Sequence, residues 1–313
     1  MRAEQLHVFT ARFNPLRWQQ PDAIFRDWCQ HIIDSGAVLH IGEVQYGERP
    51  FTCNHLPGVH HVGFRADSWC WSKENILNQM IARAPEAAYI CWSDADVFQR
   101  KPGWAREVVE ALQHYRIVQP WTKAMDLGPN DELLQVHHSF CSLWTLGKPV
   151  VPQGGKFWKF DGGPYDYAHT GYQWACTREL LDWAGGLFEL GGMGSGDHHM
   201  ALGVIGEVER SWPGGVTQSY RSHLHRWSDR ARRFVNGRIG VVHGTLEHRW
   251  HGRKTDRNYL GRWDMFVQHA FDPDADLKRN SHGILEWAGN KPELERAWDQ
   301  YLRARNEDAN TID

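Results

Sequence analysis

No stretch of the 313 residues approaches the roughly 18 to 20 apolar residues that a bilayer span requires, and the opening Met1-Arg2-Ala3-Glu4-Gln5 has no signal-peptide core. A membrane protein is not expected, and the expected location is cytoplasmic. Cysteine is sparse and scattered: Cys29, Cys53, Cys70, Cys91, Cys141 and Cys176 contain no C-x-x-C pair. That excludes a disulfide framework and a zinc knuckle, and the thiols read as reduced and mostly buried. Internal repeats and a convincing linker are also missing. Net charge is only −3, which argues against bulk affinity for nucleic acid, while 41% hydrophobic and 23% charged residues exclude disorder and a fibre.

Tryptophan and histidine are abundant instead, at 17 and 19 residues. Trp fills cores, but it also stacks on sugar faces and nucleobases. His supplies metal ligands and phosphate contacts, and only patterned ones carry information. Charge is uneven: Arg210 to Arg262 holds eleven Arg and one Lys against three acids, a local +9. Such a tract can bind a diphosphate or a phosphodiester backbone, or pair with acids of its own fold.

The first hundred residues alternate strand and helix signals. Leu6 to Thr10 reads as a strand, Ile24, Phe25, Trp28 and Ile32 as a helical stripe, and Ala37 to Val44 and His60 to Phe64 as further strands. A helix is expected from near Asp67-Ser68, with Ile76, Leu77, Met80 and Ile81 on one face. Ala87 to Trp92 reads as a buried strand, and Trp104 to Tyr115 as a helix before the strand Arg116 to Pro120. This βαβ order implies an α/β fold with a mostly parallel central sheet flanked by helices. From Trp121 to Tyr172 the pattern breaks into Gly-, Pro- and aromatic-rich chain, including Gln153-Gly154-Gly155-Lys156, Asp161-Gly162-Gly163-Pro164 and Thr170-Gly171-Tyr172. A short helix, Thr177 to Trp183, and the glycine-rich run into Asp197-His198-His199 follow, and Lys291 to Arg305 reads as an amphipathic helix.

The buried strand ends in Ser93-Asp94-Ala95-Asp96. Two carboxylates at a strand's carboxyl end suit a divalent cation that grips a phosphate. Asp-x-Asp also caps helices, and Pro102-Gly103 begins one soon afterwards.

This D-x-D resembles the metal and nucleotide-sugar site of GT-A (nucleotide-diphospho-sugar transferase) glycosyltransferases. Three further segments fall in that family's order. The opening strand with Thr10-Ala11-Arg12 is similar to the segment that receives base and ribose, and Lys73-Glu74-Asn75-Ile76-Leu77-Asn78 resembles the helix, carrying a Lys and an Asn, that precedes the D-x-D strand. Thr170-Gly171-Tyr172 through Gly194-Ser195-Gly196-Asp197 resembles the acceptor side of galactosyltransferase-like enzymes, although those show Trp-Gly-Gly-Glu-Asp. The resemblance implies Mn²⁺ or Mg²⁺ on Asp96 with Asp94 on ribose or metal, a UDP-linked donor, and Asp197 as the base of an inverting transfer. It implies donor contacts from Thr10, Arg12, Lys73, Asn75 and Asp94.

A late His completes the metal shell in that family, and His248-Arg249-Trp250-His251-Gly252-Arg253 resembles that element. Along a strand His248 and His251 face opposite sides, so one is expected to reach the ion, with His251 preferred beside Gly252 and His243 as second choice. Arg253, Arg257 and Tyr259 are expected to hold the diphosphate, with Arg262 nearby. The string H-x-W-H-G followed by R-x-Y is similar to one in phage and bacterial glycosyltransferases. That brings in a hydroxymethylated pyrimidine in phage DNA as acceptor, beside a glycan or small molecule.

The implied organisation is a catalytic domain over 1–265, with a nucleotide-sugar half 1–120 and an acceptor half 121–265, and a helical C-terminal extension 266–313. Two alternatives stand. Asp94, Asp96, Asp197, His198, His199 and His251 could build the two-metal site of a phosphoesterase or nucleotidyltransferase. The other is a Trp-rich carbohydrate- or DNA-binding module, which would have no use for Asp96.

Overall fold

The computed structural model describes residues 5–151, 168–258 and 261–312. The chain opens with β1 (Leu6–Phe13), α1 (Gln19–Asp34), β2 (Val38–Tyr46), β3 (Val59–Ala66), α2 (Lys73–Ala82) and β4 (Tyr89–Ser93). β1 pairs in parallel with β2 on one side and β4 on the other, and β2 with β3. Side chains alternate across these strands, so Val8, Leu39, Ile41 and Cys91 meet Phe25, Trp28 and Ile32 of α1, while Phe9, Val44, Ile90 and Trp92 share a core with Ile76, Leu77 and Met80 of α2. Gly42 lets α2 lie close to the sheet: a Cβ there would stand 2.4 Å from Ile76 Cγ2.

α2 begins at Lys73, later than the Asp67-Ser68 start expected. The intervening residues are committed to distant chain. The Asp67 N–H donates to Glu286 Oε1 at 2.6 Å, and the Trp71 N–H donates to the Gly192 carbonyl at 3.0 Å.

β5 (Val97–Gln99), α3 (Trp104–Leu112) and β6 (Ile117–Gln119) follow. The stretch read as patternless then supplies β7 (Lys123–Leu127), β8 (Leu133–His138) and α4 (Phe140–Thr145), with 153–156 and 161–164 outside the described residues. Next come β9 (Gln173–Thr177), α5 (Arg178–Ala184), α6 (Gly196–Val204), α7 (Gln218–Val235), β10 (Ile239–Val241), β11 (Thr245–His248), α8 (Gly261–Gln268), α9 (Pro273–Asp276), β12 (Leu277–Arg279), β13 (Leu285–Trp287) and α10 (Pro292–Ala304).

The described residues form a seven-stranded sheet in the order β10-β6-β9-β4-β1-β2-β3, parallel except that β9 runs against both neighbours. This is the mostly parallel, helix-flanked α/β sheet that the sequence implies. A second sheet, β5-β11-β7-β8, lies beside it. Residues 266–312 share the main core through Leu285, Trp287, Leu294, Trp298 and Leu302. All six cysteines are free and buried, and no helix among the described residues is long and apolar enough to cross a membrane. Strand order reverses between β1 and β4, which opens a crevice at their carboxyl ends, where Thr10 to Asn14 and Asp94 to Asp96 emerge.

Candidate functional site

A cavity of about 360 Å³ occupies that crevice. Its chemistry is set by strand register. Asp96 immediately precedes β5, and β5 pairs antiparallel with β11 so that Val97 faces His248. The Arg249 N–H donates to the Asp96 carbonyl at 2.9 Å, which fixes the end of β11 against the D-x-D turn. The Asp94 N–H donates to the Tyr172 carbonyl at 2.8 Å, which fixes the turn from the other side.

Both histidines reach the same point. His251 Nε2 lies 2.8 Å from Asp96 Oδ2, His248 Nε2 lies 3.7 Å from it, and the two Nε2 atoms are 3.3 Å apart. The expectation that only one would reach is corrected, because β11 stops at His248 and strand alternation no longer governs His251. Gly252, at φ +89°, turns the chain there. His243 is exposed and outside the cavity wall.

Parallel pairing of β11 with β7 places Asp126 opposite His248, and Asp126 Oδ1 accepts from His248 Nδ1 at 2.9 Å. The Tyr172 hydroxyl donates to the same oxygen at 2.6 Å, while His137 and Lys254 hold Oδ2. Burial opposes the Asp126 charge, but these partners keep its carboxyl far below the usual range. Asp96 behaves alike: burial opposes its charge, and His248 and His251 hold it well below the ordinary value. Burial favours a neutral His248, yet Asp96 and Asp126 on its two nitrogens raise it to about 9.

These residues fit a cation. Donors about 2.1 Å from an ion stand about 3.0 Å apart at right angles and about 3.4 Å apart at tetrahedral angles. The separations of 2.8, 3.3 and 3.7 Å bracket both values. Asp96 Oδ1 is buried without a hydrogen-bond partner, an orphaned anionic oxygen beside two imidazoles. Among the described residues, Asp96, His248 and His251 are the one group of three such donors close enough to share an ion.

A second cluster lies on the same cavity wall. Lys73 Nζ is 2.5 Å from Asp94 Oδ1 and 3.6 Å from Asp197 Oδ2, so it bridges the D-x-D turn to the start of α6. Asp94 therefore stands outside the donor trio. Asp197 sits in the first turn of α6 and makes no capping bond; Ser195, at φ +67°, holds the N-cap position. Glu74 lines the wall beside them, and burial, opposed by Lys73 and reinforced by Asp197, pushes its carboxyl up to about 7. Gly196 makes room for it, since a Cβ there would stand 2.3 Å from Glu74 Oε1.

Thr10 lines the cavity and donates its hydroxyl to the Ser93 carbonyl at 3.0 Å, while Arg12 pairs with Asp22 and covers the Phe25 ring at 4.2 Å. Arg257 is in the wall, with Nη2 3.0 Å from His251 Nε2. Two expected donor contacts lie elsewhere. Asn75 turns into the core, where its amide donates to Glu189 Oε2 at 2.9 Å and accepts from the Leu285 N–H at 2.9 Å, because α2 presents its third residue to the protein interior. Arg253 pairs with Asp256 at 3.0 Å, away from the cavity wall. Tyr259 lies outside the described residues. His199, offered for a two-metal site, is bound to Ser211 Oγ at 2.7 Å and to the Tyr220 hydroxyl at 2.8 Å in the core.

Sequence reasoning missed His248, Asp126, Glu74, Lys254 and Glu307, all but Asp126 in the cavity wall. For His248 the signal was present in the H-x-x-H string and was set aside by strand parity. Asp126, a lone acid in an apolar strand inside the segment read as broken, offered only the oddity of a charge in Ala124-Met125-Asp126-Leu127.

No family model and no curated protein matches the chain. Solved structures similar to it include the glucosyl-3-phosphoglycerate synthase of Mycobacterium tuberculosis, determined with Mn²⁺, UDP and phosphoglyceric acid, at 12% identity over 88% of this chain and 81% of that one, TM-score 0.39. A protein described as a nucleotide-diphospho-sugar transferase from Desulfovibrio desulfuricans is similar at 13% identity over 98% of each chain, TM-score 0.30. A protein described as a glucose-1-phosphate thymidylyltransferase from Bacillus anthracis, in complex with a sucrose, is similar at 9% identity over 77% of this chain and 88% of that one, TM-score 0.33.

Proposed function

We propose that this chain is a metal-dependent glycosyltransferase that moves a sugar from a nucleotide sugar, UDP-linked, to an acceptor hydroxyl. The observation that carries the reading is the convergence of Asp96, His248 and His251 on one point at the carboxyl edge of a parallel sheet, with Asp96 Oδ1 orphaned beside them. Two imidazoles with one carboxylate favour Mn²⁺ over the harder Mg²⁺. When bound, the cation stabilises the charge that develops on the departing diphosphate. Arg257, next to the trio, reaches the same diphosphate, and Thr10 and Arg12 frame the base and ribose end of the cavity.

Asp197 faces the cavity from the first turn of α6. As the acceptor oxygen bonds to the anomeric carbon, Asp197 takes the hydroxyl proton, the bond from that carbon to the diphosphate oxygen breaks, and configuration inverts. Lys73, 3.6 Å from Asp197 and 2.5 Å from Asp94, keeps both carboxylates oriented. Cations and acids are matched around the cavity, with Arg12, Lys73, Lys254 and Arg305 each paired to an acid, which suits a glycan or small-molecule acceptor better than a phosphodiester chain.

A thermal-shift screen of nucleotides and nucleotide sugars, with and without Mn²⁺, tests this. A ligand at 100 times its dissociation constant adds about 2.7 kcal/mol of stability. The expected result is a shift with UDP or a UDP-sugar that needs Mn²⁺; stabilisation by metal with no nucleotide response would point to a phosphoesterase, and binding indifferent to Asp96→Ala to a non-catalytic module.

A further inference from the structure

Each histidine of the trio has a carboxylate on its Nδ1 side, hydrogen-bonded to His248 and at longer ion-pair range from His251. His248 turns Nε2 to Asp96 and Nδ1 to Asp126 Oδ1, at 2.9 Å. His251 turns Nε2 to Asp96, and its Nδ1 has Arg257 Nη2 at 3.2 Å and Glu307 Oε2 at 3.9 Å. Asp126 belongs to a strand of the second sheet, but Glu307 lies beyond α10, six residues from the chain's last, in a segment that returns to the cavity from the far end of the sequence.

We propose that Glu307 is a positioning residue for the cation, and that the tail Arg305–Ala309 is a strap that holds His251 in its ligating orientation. The inference rests on the metal reading above. A ligating imidazole is oriented by what its other nitrogen faces, and a carboxylate there fixes the ring and raises its basicity. Glu307 has the required placement and charge. Its side chain is 15% exposed; Arg305 Nε at 2.7 Å and Nη2 at 2.5 Å occupy Oε1, which leaves Oε2 to the ring. Glu307 thus brings a negative charge to the side of His251 away from Asp96. It also offsets Arg257, whose guanidinium lies 3.0 Å from His251 Nε2 and by itself repels a cation there.

The strap is fastened on both sides of the site. The Asp308 carboxylate accepts the N–H groups of Gln19 and Gln20, at 3.0 and 2.7 Å, in the first turn of α1. Trp250 Nε1 donates to the Ala309 carbonyl at 2.6 Å. At Gly252, next to His251, a Cβ would stand 2.7 Å from the Asn306 carbonyl oxygen and 2.8 Å from Glu307 Cα. The tail thus packs directly on the backbone that carries the ligand.

The experiment is calorimetric titration of Mn²⁺ into the full chain and its Glu307→Ala and Glu307→Gln variants, with the metal-free melting temperature of each. Removing such a supporting group weakens metal binding about 10- to 100-fold. The expected result is that loss in Glu307→Ala with a metal-free melting temperature near wild type, and a smaller loss in Glu307→Gln, which keeps the shape and an acceptor oxygen. Unchanged Mn²⁺ affinity in a folded Glu307→Ala overturns the proposal. Should Glu307→Ala fail to fold, the isosteric Glu307→Gln decides, and unaltered affinity there overturns it equally. A wild-type chain that takes up no Mn²⁺ overturns the metal reading itself, which is a different failure.

Discussion

Four partners converge on the Asp126 carboxylate, which is 2% exposed: His137, His248, Tyr172 and Lys254. Replacing it by Ala leaves those donors facing a void, and breaking a buried charge pair from one side costs about 3–5 kcal/mol. Urea unfolding of Asp126→Ala should show a loss of that order; a change below about 1 kcal/mol would mean the network contributes little to folding. Glu74 behaves in the opposite sense. Burial pushes its folded value up to about 7, above the unfolded value of about 4.3, so the native state binds this proton more tightly. Its contribution therefore favours folding at acid pH and declines as pH rises from about 4.3 to about 7, by roughly 1.4 kcal/mol per unit. Glu74→Gln should flatten that decline and stabilise the chain at pH 8, and parallel pH–stability curves for the two proteins would refute the assignment. At this scale the sequence disclosed Asp94 and Asp96, because two acids after an apolar run are conspicuous. It did not disclose Glu74 or Asp126, whose roles depend on what packs over them.

Where an element ends matters more than what it is. Strand alternation separated His248 from His251, and the structure joins them because β11 is four residues long and the chain turns at Gly252. Gly252→Ala should therefore fail twice. Its φ of +89° is strained for any side chain, and the Cβ would meet backbone, not a movable side chain, at 2.7 and 2.8 Å. The expected outcome is a loss of about 1–3 kcal/mol by denaturant unfolding together with weakened Mn²⁺ binding, since the same turn carries His251 and supports the tail; wild-type values for both would show that the turn is slack. The βαβ opening was legible because α1 and α2 bury regular apolar stripes and the strands beside them carry short apolar runs. β7, β8 and β9 were not, being strands of five or six residues inside Gly- and aromatic-rich chain, and β9 is buried at every position, which erases the alternation that marks a strand.

The basic tract that looks continuous in one dimension divides in three. Arg257 and Arg262 face the cavity, whereas Arg221, Arg226, Arg230, Arg232 and Arg233 lie exposed along α7. A phosphodiester acceptor would need a contiguous row of cations leading into the site, and neutralising six to ten phosphates makes affinity fall about 10³- to 10⁵-fold between 50 and 200 mM salt. An acceptor held within a partly buried, charge-matched cavity feels that screening little, because salt screens solvent-exposed charges separated by more than a Debye length of about 10 Å and partly buried pairs much less. Turnover with a UDP-sugar and a small hydroxyl acceptor should thus change less than about threefold over that range. Duplex DNA, if it binds at all, should do so through α7, and then Arg232→Ala with Arg233→Ala should lower the salt slope by about two without altering turnover on the small acceptor. A steep fall of kcat/KM with salt, moving in step with DNA affinity, would instead make the phosphodiester the true acceptor and require α7 and the cavity to act as one surface.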